Sequence, residues 1–442
     1  MQDKLTVLFD YQAFHGQRFG GVSRYYYEVI SRMKNENEKI ALWFSMNKYI
    51  SCCDMLRYVP VPKTMFKLFE GVFRKINRRV SVKKVRRAEF DIFHPTGYDP
   101  YFLDSIGNKP FVLTIHDMTH EMYSQYFSSL DPTAGNKRRL AQQATRIIAI
   151  SEYTKKKIVE LLGVDPEKID VIYHGIEKRQ LGIERLEGLP EKYILYVGER
   201  RRYKNFDVVA EAFAELVKSF PEYGLVLTGR KLSSRERRLF RSLDIMDKVH
   251  TCSDVNDAEL DRLYHNAEMF VYPSLCEGFG IPILEAFAQD CPVVLSDASC
   301  FPEIGGDACE YFAPDSVEGL LHAMCRIILT DSYRLQLIEK GRSRLQMFTW
   351  SETARKTEET YRKALAEVAA GNYQELVPFC ETNSNEPLPI VLQTFGKYLT
   401  WVFANCLTID KQRCNIESKG LKTYIQRILR LIFQNFATKA QA

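Results

Sequence analysis

Short runs of β-branched and aromatic residues alternate along the chain with longer stretches of helical periodicity, and the alternation occurs in two series. Such a pattern is typical of βα units that build parallel sheets covered by helices. The predicted strands are 5–9, 92–94, 111–115, 146–150 and 169–173 in the first series, and 193–197, 224–228, 269–272, 292–295 and 310–312 in the second. The chain is therefore predicted to be α/β, with two doubly wound domains.

A polar segment at 177–191, with two glycines and Pro190, separates the two series and suits an interdomain connection. The length of 442 residues also exceeds what one hydrophobic core usually holds. We predict domains at 1–180 and 190–348, a helix at 349–371, and a basic helical tail of unknown role at 372–442.

Two doubly wound domains in series imply a cleft between them, and ligands bind such domains at the carboxyl ends of their strands. Glycines and polar residues are expected in the turns that reach this cleft. The turns after predicted strands carry Gly20–Gly21, His116–Asp117, Gly198, Gly229 and Glu277–Gly278.

The densest stretch runs from Tyr272 to Glu285, with the sequence YPSLCEGFGIPILE. Its glycines let the backbone approach a ligand closely, and Ile281–Pro282 marks a helix start whose free amides can hold an anion. One glutamate lies on each side of this turn, Glu277 before it and Glu285 after it. The carboxylate of either residue can accept hydrogen bonds from two neighbouring hydroxyls of a sugar or ribose. Taken alone, two glutamates at this spacing favour a capped helix with one solvated carboxylate.

The segment 273–308 resembles the signature of glycosyltransferase family 4, also called group 1, whose members are retaining enzymes of GT-B fold that use nucleotide sugars. Further matches to this family follow in chain order, and together they extend from about Phe9 to about Tyr361. They are 20–25, 114–117, 150–154, 171–175, 196–198 and 204–206. The resemblance implies two Rossmann-like domains facing across a cleft, with the helix after 349 returning to the first domain.

The resemblance also implies a donor site in which cations and backbone amides stabilise the charge that develops on the leaving diphosphate. Lys204 is the expected cation, and Arg200 competes with Arg201 and Arg202 for a second such role. The implied donor-binding residues are Gly20, Gly21, Gly198, Arg200, Lys204, Gly229, Glu277, Gly278, Phe279, Gly280, Ile281 and Glu285.

By the same resemblance, Glu277 holds the donor-sugar hydroxyls and Glu285 the ribose hydroxyls. His116 and Asp117 would lie near the sugar and the acceptor, which makes His116, Asp117, Lys204 and Glu277 the implied catalytic set. Outside this set of motifs, His116 and Asp117 would suit a structural pair that closes a turn. Family members retain anomeric configuration by front-face displacement, so the two-carboxylate scheme of glycoside hydrolases is not expected.

Metal and cofactor motifs are missing from the sequence. It contains no D-x-D pair of the kind that chelates a divalent metal with a diphosphate, and no zinc spacing of Cys and His. No G-x-G-x-x-G follows the first strand, which argues against a nicotinamide dehydrogenase. We predict no metal and no cofactor, since the nucleotide sugar is itself a substrate.

Charge and cysteine content bear on partners and location. The net charge of +5 is too mild to suggest nucleic acid as a partner. Eleven cysteines, with no C-x-x-C pair and no secretory leader before them, predict reduced thiols and a cytoplasmic protein. The most apolar stretch, 390–407, is interrupted by Gln393, Lys397 and Asn405, so no transmembrane helix is predicted.

Two basic segments could bring the protein to the inner face of a membrane. Residues 63–87 contain ten basic residues against one acid, Glu70, beside an apolar stripe that includes Phe66, Phe69 and Phe73. Such a stripe can lie on an anionic bilayer or pack on the first domain with its cations solvated, and both readings stay open. Residues 419–436 form a second stripe that could face membrane, a partner or the protein itself.

These observations predict a retaining glycosyltransferase. It would move a hexose, mannose from GDP-mannose or a hexose from UDP, onto a hydroxyl of a glycan or lipid-linked acceptor in cell-surface polysaccharide biosynthesis. Two alternatives are a GT-B-like nucleotide-sugar epimerase and a non-catalytic nucleotide-sugar-binding scaffold. The Glu277–Glu285 spacing argues against the epimerase, and the intact Lys204 and His116 disfavour the scaffold.

Overall fold

A computed structural model describes residues 4–33, 36–50, 58–177, 184–200, 202–253 and 255–371. The predicted amphipathic stripe at 419–436, the whole segment 372–442 and Arg201 lie outside the described residues. In the part of the chain that is described, every helix is too short or too polar to cross a bilayer.

The first domain is built on parallel strands. They are β1 Leu5–Phe9, β2 Glu36–Ile40, β3 Phe44–Ser45, β4 Val59–Pro60, β5 Ile92–His94, β6 Val112–Ile115, β7 Arg146–Ala149 and β8 Ile169–Val171. The strands form two three-stranded sheets, β2-β1-β5 and β6-β7-β8. A single parallel bridge between Phe93 in β5 and Phe111, just before β6, joins these sheets edge to edge. Strands β3 and β4 pair separately.

The helices of the first domain are α1 Gln12–His15, α2 Gly21–Arg32, α3 Lys63–Leu68, α4 Glu70–Arg87, α5 Thr119–Met122, α6 Thr133–Gln143 and α7 Glu152–Leu162. Short 3₁₀ turns lie at Ser124–Tyr126 and Pro166–Lys168. Local sequence fixes α7 at both ends. The hydroxyl of Ser151 accepts a hydrogen bond from the Thr154 amide, and Gly163 ends the helix in the left-handed region.

The second domain carries one six-stranded parallel sheet. Its strands are β9 Lys192–Tyr196, β10 Tyr223–Thr228, β11 Val249–Cys252, β12 Met269–Tyr272, β13 Val293–Ser296 and β14 Glu310–Phe312. They lie in the order β11-β10-β9-β12-β13-β14, so the winding direction reverses between β9 and β12. A crevice opens at such a reversal, at the carboxyl ends of the strands.

Helices cover both faces of the second sheet, and its strands are therefore nearly continuous apolar runs. The helices are α8 Phe206–Ser219, α9 Ser234–Ser242, α10 Asp257–His265, α11 Ile281–Ala288, α12 Phe301–Gly305, α13 Val317–Leu329 and α14 Asp331–Leu345, with 3₁₀ turns at Arg202–Lys204, Met246–Lys248 and Gly306–Ala308. The α/β architecture predicted from the sequence is confirmed.

A last helix, α15 Trp350–Ala369, packs on the first domain although it follows the second in sequence. Trp350, Tyr361 and Ala364 are buried in the core of the first domain. The Tyr361 hydroxyl lies 2.6 Å from Nδ1 of His94, the last residue of β5. This helix therefore ties the two halves of the chain together.

Four strands were missed by the sequence prediction, which listed no strand at β2, β3, β4 or β11. Strands β3 and β4 have two residues each and pair only with each other. Strands β2 and β11 are edge strands of their sheets, and β2 has the polar sequence ENEKI. An edge strand pairs on one side only and needs no continuous apolar run, so hydrophobic patterning does not reveal it.

The basic segment 63–87 forms α3 and α4, and its apolar stripe packs within the first domain. Phe66, Phe69 and Phe73 are buried together with Phe44 and Val61. Most of the cations on these helices remain at the surface, and the side chain of Leu68 is exposed beside them. The apolar stripe is thus used for packing within the first domain.

Candidate functional site

Most of the predicted site residues follow β9 and β12, the two strands between which the winding reverses. The loops after β9 and β10 come close together at two glycines with positive φ, Gly198 (+116°) and Gly229 (+94°). A Cβ atom at position 229 would lie 2.9 Å from the carbonyl oxygen of Gly198. Both positions therefore favour glycine for conformation, and Gly229 also for space.

Lys204 and Glu277 form an ion pair across these loops. Lys204 Nζ lies 2.5 Å from Glu277 Oε1, with the two side chains 16% and 15% exposed. The loops are held in place by a hydrogen bond from the Leu275 amide to the Tyr203 carbonyl. Although burial alone would lower it, the pKa of Lys204 is raised by Glu277. The structure thus brings together a predicted cation and a predicted sugar-binding carboxylate.

Glu285, in the second turn of α11, is also paired with a cation, and this cation belongs to the other domain. Its Oε1 lies 3.1 Å from Nη1 of Arg24 on α2, and its Oε2 accepts a hydrogen bond of 3.4 Å from the Tyr264 hydroxyl. Helix α11 begins after Gly280, which has a φ of +88°. Glycine adopts this left-handed conformation without strain, whereas a residue with a Cβ atom does not. Ile281 is the first residue of this helix.

The turn between the two glutamates touches the first domain at Gly278. A Cβ atom there would lie 1.7 Å from the carbonyl oxygen of His116, so no other residue fits without moving the domains. The Gly278 carbonyl accepts hydrogen bonds from the hydroxyls of Ser151 (2.6 Å) and Thr154 (3.2 Å). This contact sets the distance between the two walls of the cleft.

His116 follows β6 and lies at this contact. Its backbone N–H donates to the Tyr98 hydroxyl at 3.0 Å, and its Nε2 is buried with no hydrogen-bond partner among the described residues. Burial lowers the pKa of His116 to about 4, so the imidazole is neutral near pH 7. A neutral imidazole nitrogen without a partner can donate or accept one hydrogen bond, depending on the tautomer.

Asp117 is oriented by Lys137, whose Nζ lies 3.8 Å from its carboxylate and donates to its backbone carbonyl at 2.8 Å. Burial opposes ionisation of this carboxyl group, but Lys137 and the amide of Thr119 bring its pKa below the ordinary value. Asp117 is therefore anionic at neutral pH, next to the loop that carries His116.

Arg200 is turned away from the cleft. Its side chain is fully buried, and its Nε lies 2.7 Å from Glu236 Oε1. Its other nitrogens donate to the carbonyls of Thr228, at 2.9 Å, and Arg230. The structure does not place Arg200 with Lys204 and the two glutamates. It holds the loops after β9 and β10 together instead.

The remaining predicted residues are Gly20, Gly21 and Phe279. Gly20 and Gly21 begin α2, next to a cavity of about 560 Å³ that Arg18 and Lys63 help to line. Phe279 points into the interdomain contact, with its ring centroid 4.9 Å from that of His174.

Sequence reasoning missed Arg24, Tyr264 and His174 as members of this site. Arg24 and Glu285 are 261 positions apart, so only folding brings them together. The available signal was that Arg24 belongs to the segment G-G-V-S-R-Y, where a cation follows a glycine pair. Among the described residues, no cluster of His, Cys, Asp and Glu could hold a metal ion, and metal independence stays a prediction.

Comparison with known proteins places this architecture in a family. The model for glycosyltransferase family 4 matches residues 19–180, and that for group 1 glycosyl transferases matches residues 183–344. The chain belongs to the family 4, group 1 glycosyltransferases, as its motifs predicted.

Relatives include an MMP α-(1→4)-mannosyltransferase of Mycolicibacterium hassiacum, 30% identical over 53% of this chain and 57% of the relative. The O-antigen chain mannosyltransferase RfbU of Salmonella typhimurium is 31% identical over 46% of this chain and 56% of that protein. The O-antigen chain mannosyltransferase B of Escherichia coli is 25% identical over 66% and 79%. The matched region thus spans little more than half the length of the first two relatives.

Solved structures show the same fold. A glycosyltransferase from Rickettsia africae superposes with a TM-score of 0.61 at 18% identity, covering 82% of this chain and 99% of that one. HepE from Anabaena, solved with UDP and glucose, gives 0.63 at 16% identity, covering 81% and 100%. The predicted GT-B fold is confirmed.

Gly278→Ala is expected to separate the two walls of the cleft, because the new methyl group would collide with the His116 carbonyl. We expect nucleotide-sugar affinity and transfer to fall at least about tenfold, as displacement of a catalytic group by about 1 Å costs more than that. Calorimetry and a transfer assay measure this. Gly135→Ala, in α6 with open space around it, is the matched control and should leave both unchanged. Equal activity of the two variants would contradict the assigned close contact.

Arg200→Gln is expected to destabilise the fold, because it removes a buried charged hydrogen bond to Glu236, which keeps Arg230 and Ser233 as partners. The loss should be about 2 kcal/mol, the usual scale for a hydrogen bond to a charged group. Urea unfolding measures it. The control is Arg235→Gln, at the position just before Glu236, which removes an exposed ion pair between Arg235 and Asp207. This variant should lower the free energy of unfolding by less than about 1 kcal/mol. If Arg200→Gln instead leaves the stability unchanged and weakens nucleotide binding, Arg200 would contact phosphate as the sequence predicted, and the structural role assigned here would be wrong.

Proposed function

We propose that this protein is a nucleotide-sugar-dependent glycosyltransferase that moves a hexose onto a hydroxyl of a glycan or lipid-linked acceptor. The observation that carries the proposal is the arrangement around α11. Two carboxylates, Glu277 and Glu285, flank a glycine turn that leads into a helix N-terminus. Each carboxylate is paired with a cation, Lys204 or Arg24. Carboxylates suit hydroxyls, and cations with free amides suit a diphosphate.

In the proposed reaction, the bond between the anomeric carbon and the diphosphate oxygen breaks, and its electron pair stays on that oxygen. Lys204 and the amides of Gly278, Phe279 and Gly280 stabilise the negative charge that develops there. The acceptor hydroxyl bonds to the anomeric carbon on the same face, and its proton passes to the departing phosphate oxygen. Configuration is retained, and Glu277 orients the sugar without becoming a nucleophile.

Mannose from GDP-mannose is the donor we favour, because the relatives described above are named mannosyltransferases. A UDP-hexose is the second choice, since the HepE structure contains UDP and glucose. The names of the O-antigen enzymes support an acceptor in cell-surface polysaccharide biosynthesis. Neither an epimerase nor a non-catalytic scaffold is favoured by a comparison with known proteins.

A panel of GDP- and UDP-sugars, with EDTA present, tests the proposal by calorimetry and by slow donor hydrolysis. We expect one donor to bind without added metal and Glu285→Ala to weaken it at least about tenfold, because a hydrogen bond to a charged group contributes about 1.5–3 kcal/mol.

The control is Glu318→Ala, an exposed glutamate in the first turn of α13, which should bind like the unmodified protein. Failure of every nucleotide sugar to bind would refute the transferase. NMR of the product's anomeric proton tests retention of configuration.

We further propose that the exposed cations of α3 and α4 draw the enzyme to anionic membranes by charge alone, since the apolar stripe is buried. Co-sedimentation with phosphatidylglycerol vesicles should fall on Lys67→Glu with Arg74→Glu and in high salt. Arg237→Glu with Arg238→Glu changes the net charge equally, at exposed positions of α9, and should not affect sedimentation. If both double variants lose vesicle binding to the same extent, the cations of α3 and α4 are not the membrane-binding surface.

A further inference from the structure

Arg24 reaches across the cleft from the first domain. It lies in the first turn of α2, with its amide bonded to the Gly20 carbonyl at 2.9 Å. Its Nη1 lies 3.1 Å from Glu285 Oε1, and its Nε lies 3.8 Å from Glu28. The remaining nitrogen, Nη2, has no hydrogen-bond partner among the described residues.

The two cleft carboxylates are held in the same way. Lys204 occupies Glu277 at 2.5 Å, and Arg24 occupies Glu285 at 3.1 Å. All four side chains are between 11% and 16% exposed, which leaves them partly desolvated. Each pair satisfies two charges that would otherwise be costly to bury. A ligand that forms hydrogen bonds with the two carboxylates in place of Lys204 and Arg24 must therefore supply an anionic group for these two cations.

A nucleoside diphosphate sugar offers what this exchange requires. Its sugar and ribose each present hydroxyls that can donate to a carboxylate, and its diphosphate carries two negative charges. One cation is supplied by the loop after β9, namely Lys204. The second is not Arg200, whose guanidinium is buried against Glu236. A guanidinium with a free N–H edge is well suited to phosphate oxygens.

We propose that Arg24 is a donor-binding residue that contacts the diphosphate. Ribose hydroxyls displace Arg24 from Glu285, sugar hydroxyls displace Lys204 from Glu277, and both released cations move onto the phosphate oxygens. The inference rests on the proposed function, since it needs a nucleotide sugar in this cleft. It adds a phosphate contact from the first domain, opposite Lys204.

The exchange also gives the Arg24–Glu285 pair a role before the donor binds. The pair links α2 of one domain to α11 of the other, so it holds the cleft walls together while the cleft carries no donor. Donor binding replaces this link with one that runs through the diphosphate. Without donor, each carboxylate is paired with a cation, and with donor the carboxylates accept hydrogen bonds from hydroxyls while the cations face the diphosphate, so no partly buried carboxylate is left without a partner.

Calorimetric titration of Arg24→Gln with three ligands tests the proposal: a nucleoside, its monophosphate and its diphosphate, using the base that the intact protein binds. Loss of a charged hydrogen bond predicts diphosphate binding about 10- to 100-fold weaker. Nucleoside binding should be unchanged or tighter, because the ribose then no longer competes with Arg24 for Glu285. Arg32→Gln is the control, since Arg32 lies on the same helix and pairs with Glu28 and with Glu177. It should bind all three ligands normally.

Weakening of the nucleoside and the diphosphate by the same factor would overturn the proposal, because Arg24 would then act only by holding Glu285 in place. Unchanged diphosphate binding would overturn it as well. If circular dichroism shows that Arg24→Gln is unfolded, Arg24→Lys replaces it and should weaken the diphosphate alone, by a smaller factor. Absence of any nucleotide binding by the unmodified protein would instead refute the proposed function, and this inference with it.

Discussion

The contact between the Gly278 turn and the first domain is the constraint on which the rest of the site depends. The Gly278 carbonyl accepts hydrogen bonds from Ser151 and Thr154, while its α-carbon lies against the His116 carbonyl. The loop that carries Gly278 in the second domain thus contacts both the first turn of α7 and the end of β6 in the first domain. Because this contact has no room for a side chain, it fixes how closely His116 approaches the glutamates of α11.

Around that contact, the charged side chains are paired with one another. Lys204 and Arg24 pair with Glu277 and Glu285, and Lys137 lies between Asp117 and Glu121. Partly desolvated charges are costly without such partners, so the pairs allow a polar site to exist between two apolar cores.

The crossing helix α15 connects this cleft to the core of the first domain. Trp350 lies 5.7 Å from His174, ring to ring, and His174 in turn packs edge-on against Tyr25 and Phe279 at 4.9 Å. His174 is 3% exposed, and its Nδ1 has no partner among the described residues. Four segments therefore meet at one buried imidazole, which couples the glycine turn to α2 and to the interdomain connection.

The sequence by itself determined the fold class and predicted where a ligand site would lie. Continuous apolar strands require a sheet covered on both faces, and glycines, glutamates and Lys204 had to follow strands because ligands bind at strand ends. It did not reveal β2 and β11, because edge strands need no apolar run. Only the tertiary structure decided which cations face the cleft. Arg200 sits in the predicted loop but is buried by Glu236, whereas Arg24 reaches Glu285 from 261 positions away. Pairing of charges depends on distance in space, which local patterns do not contain.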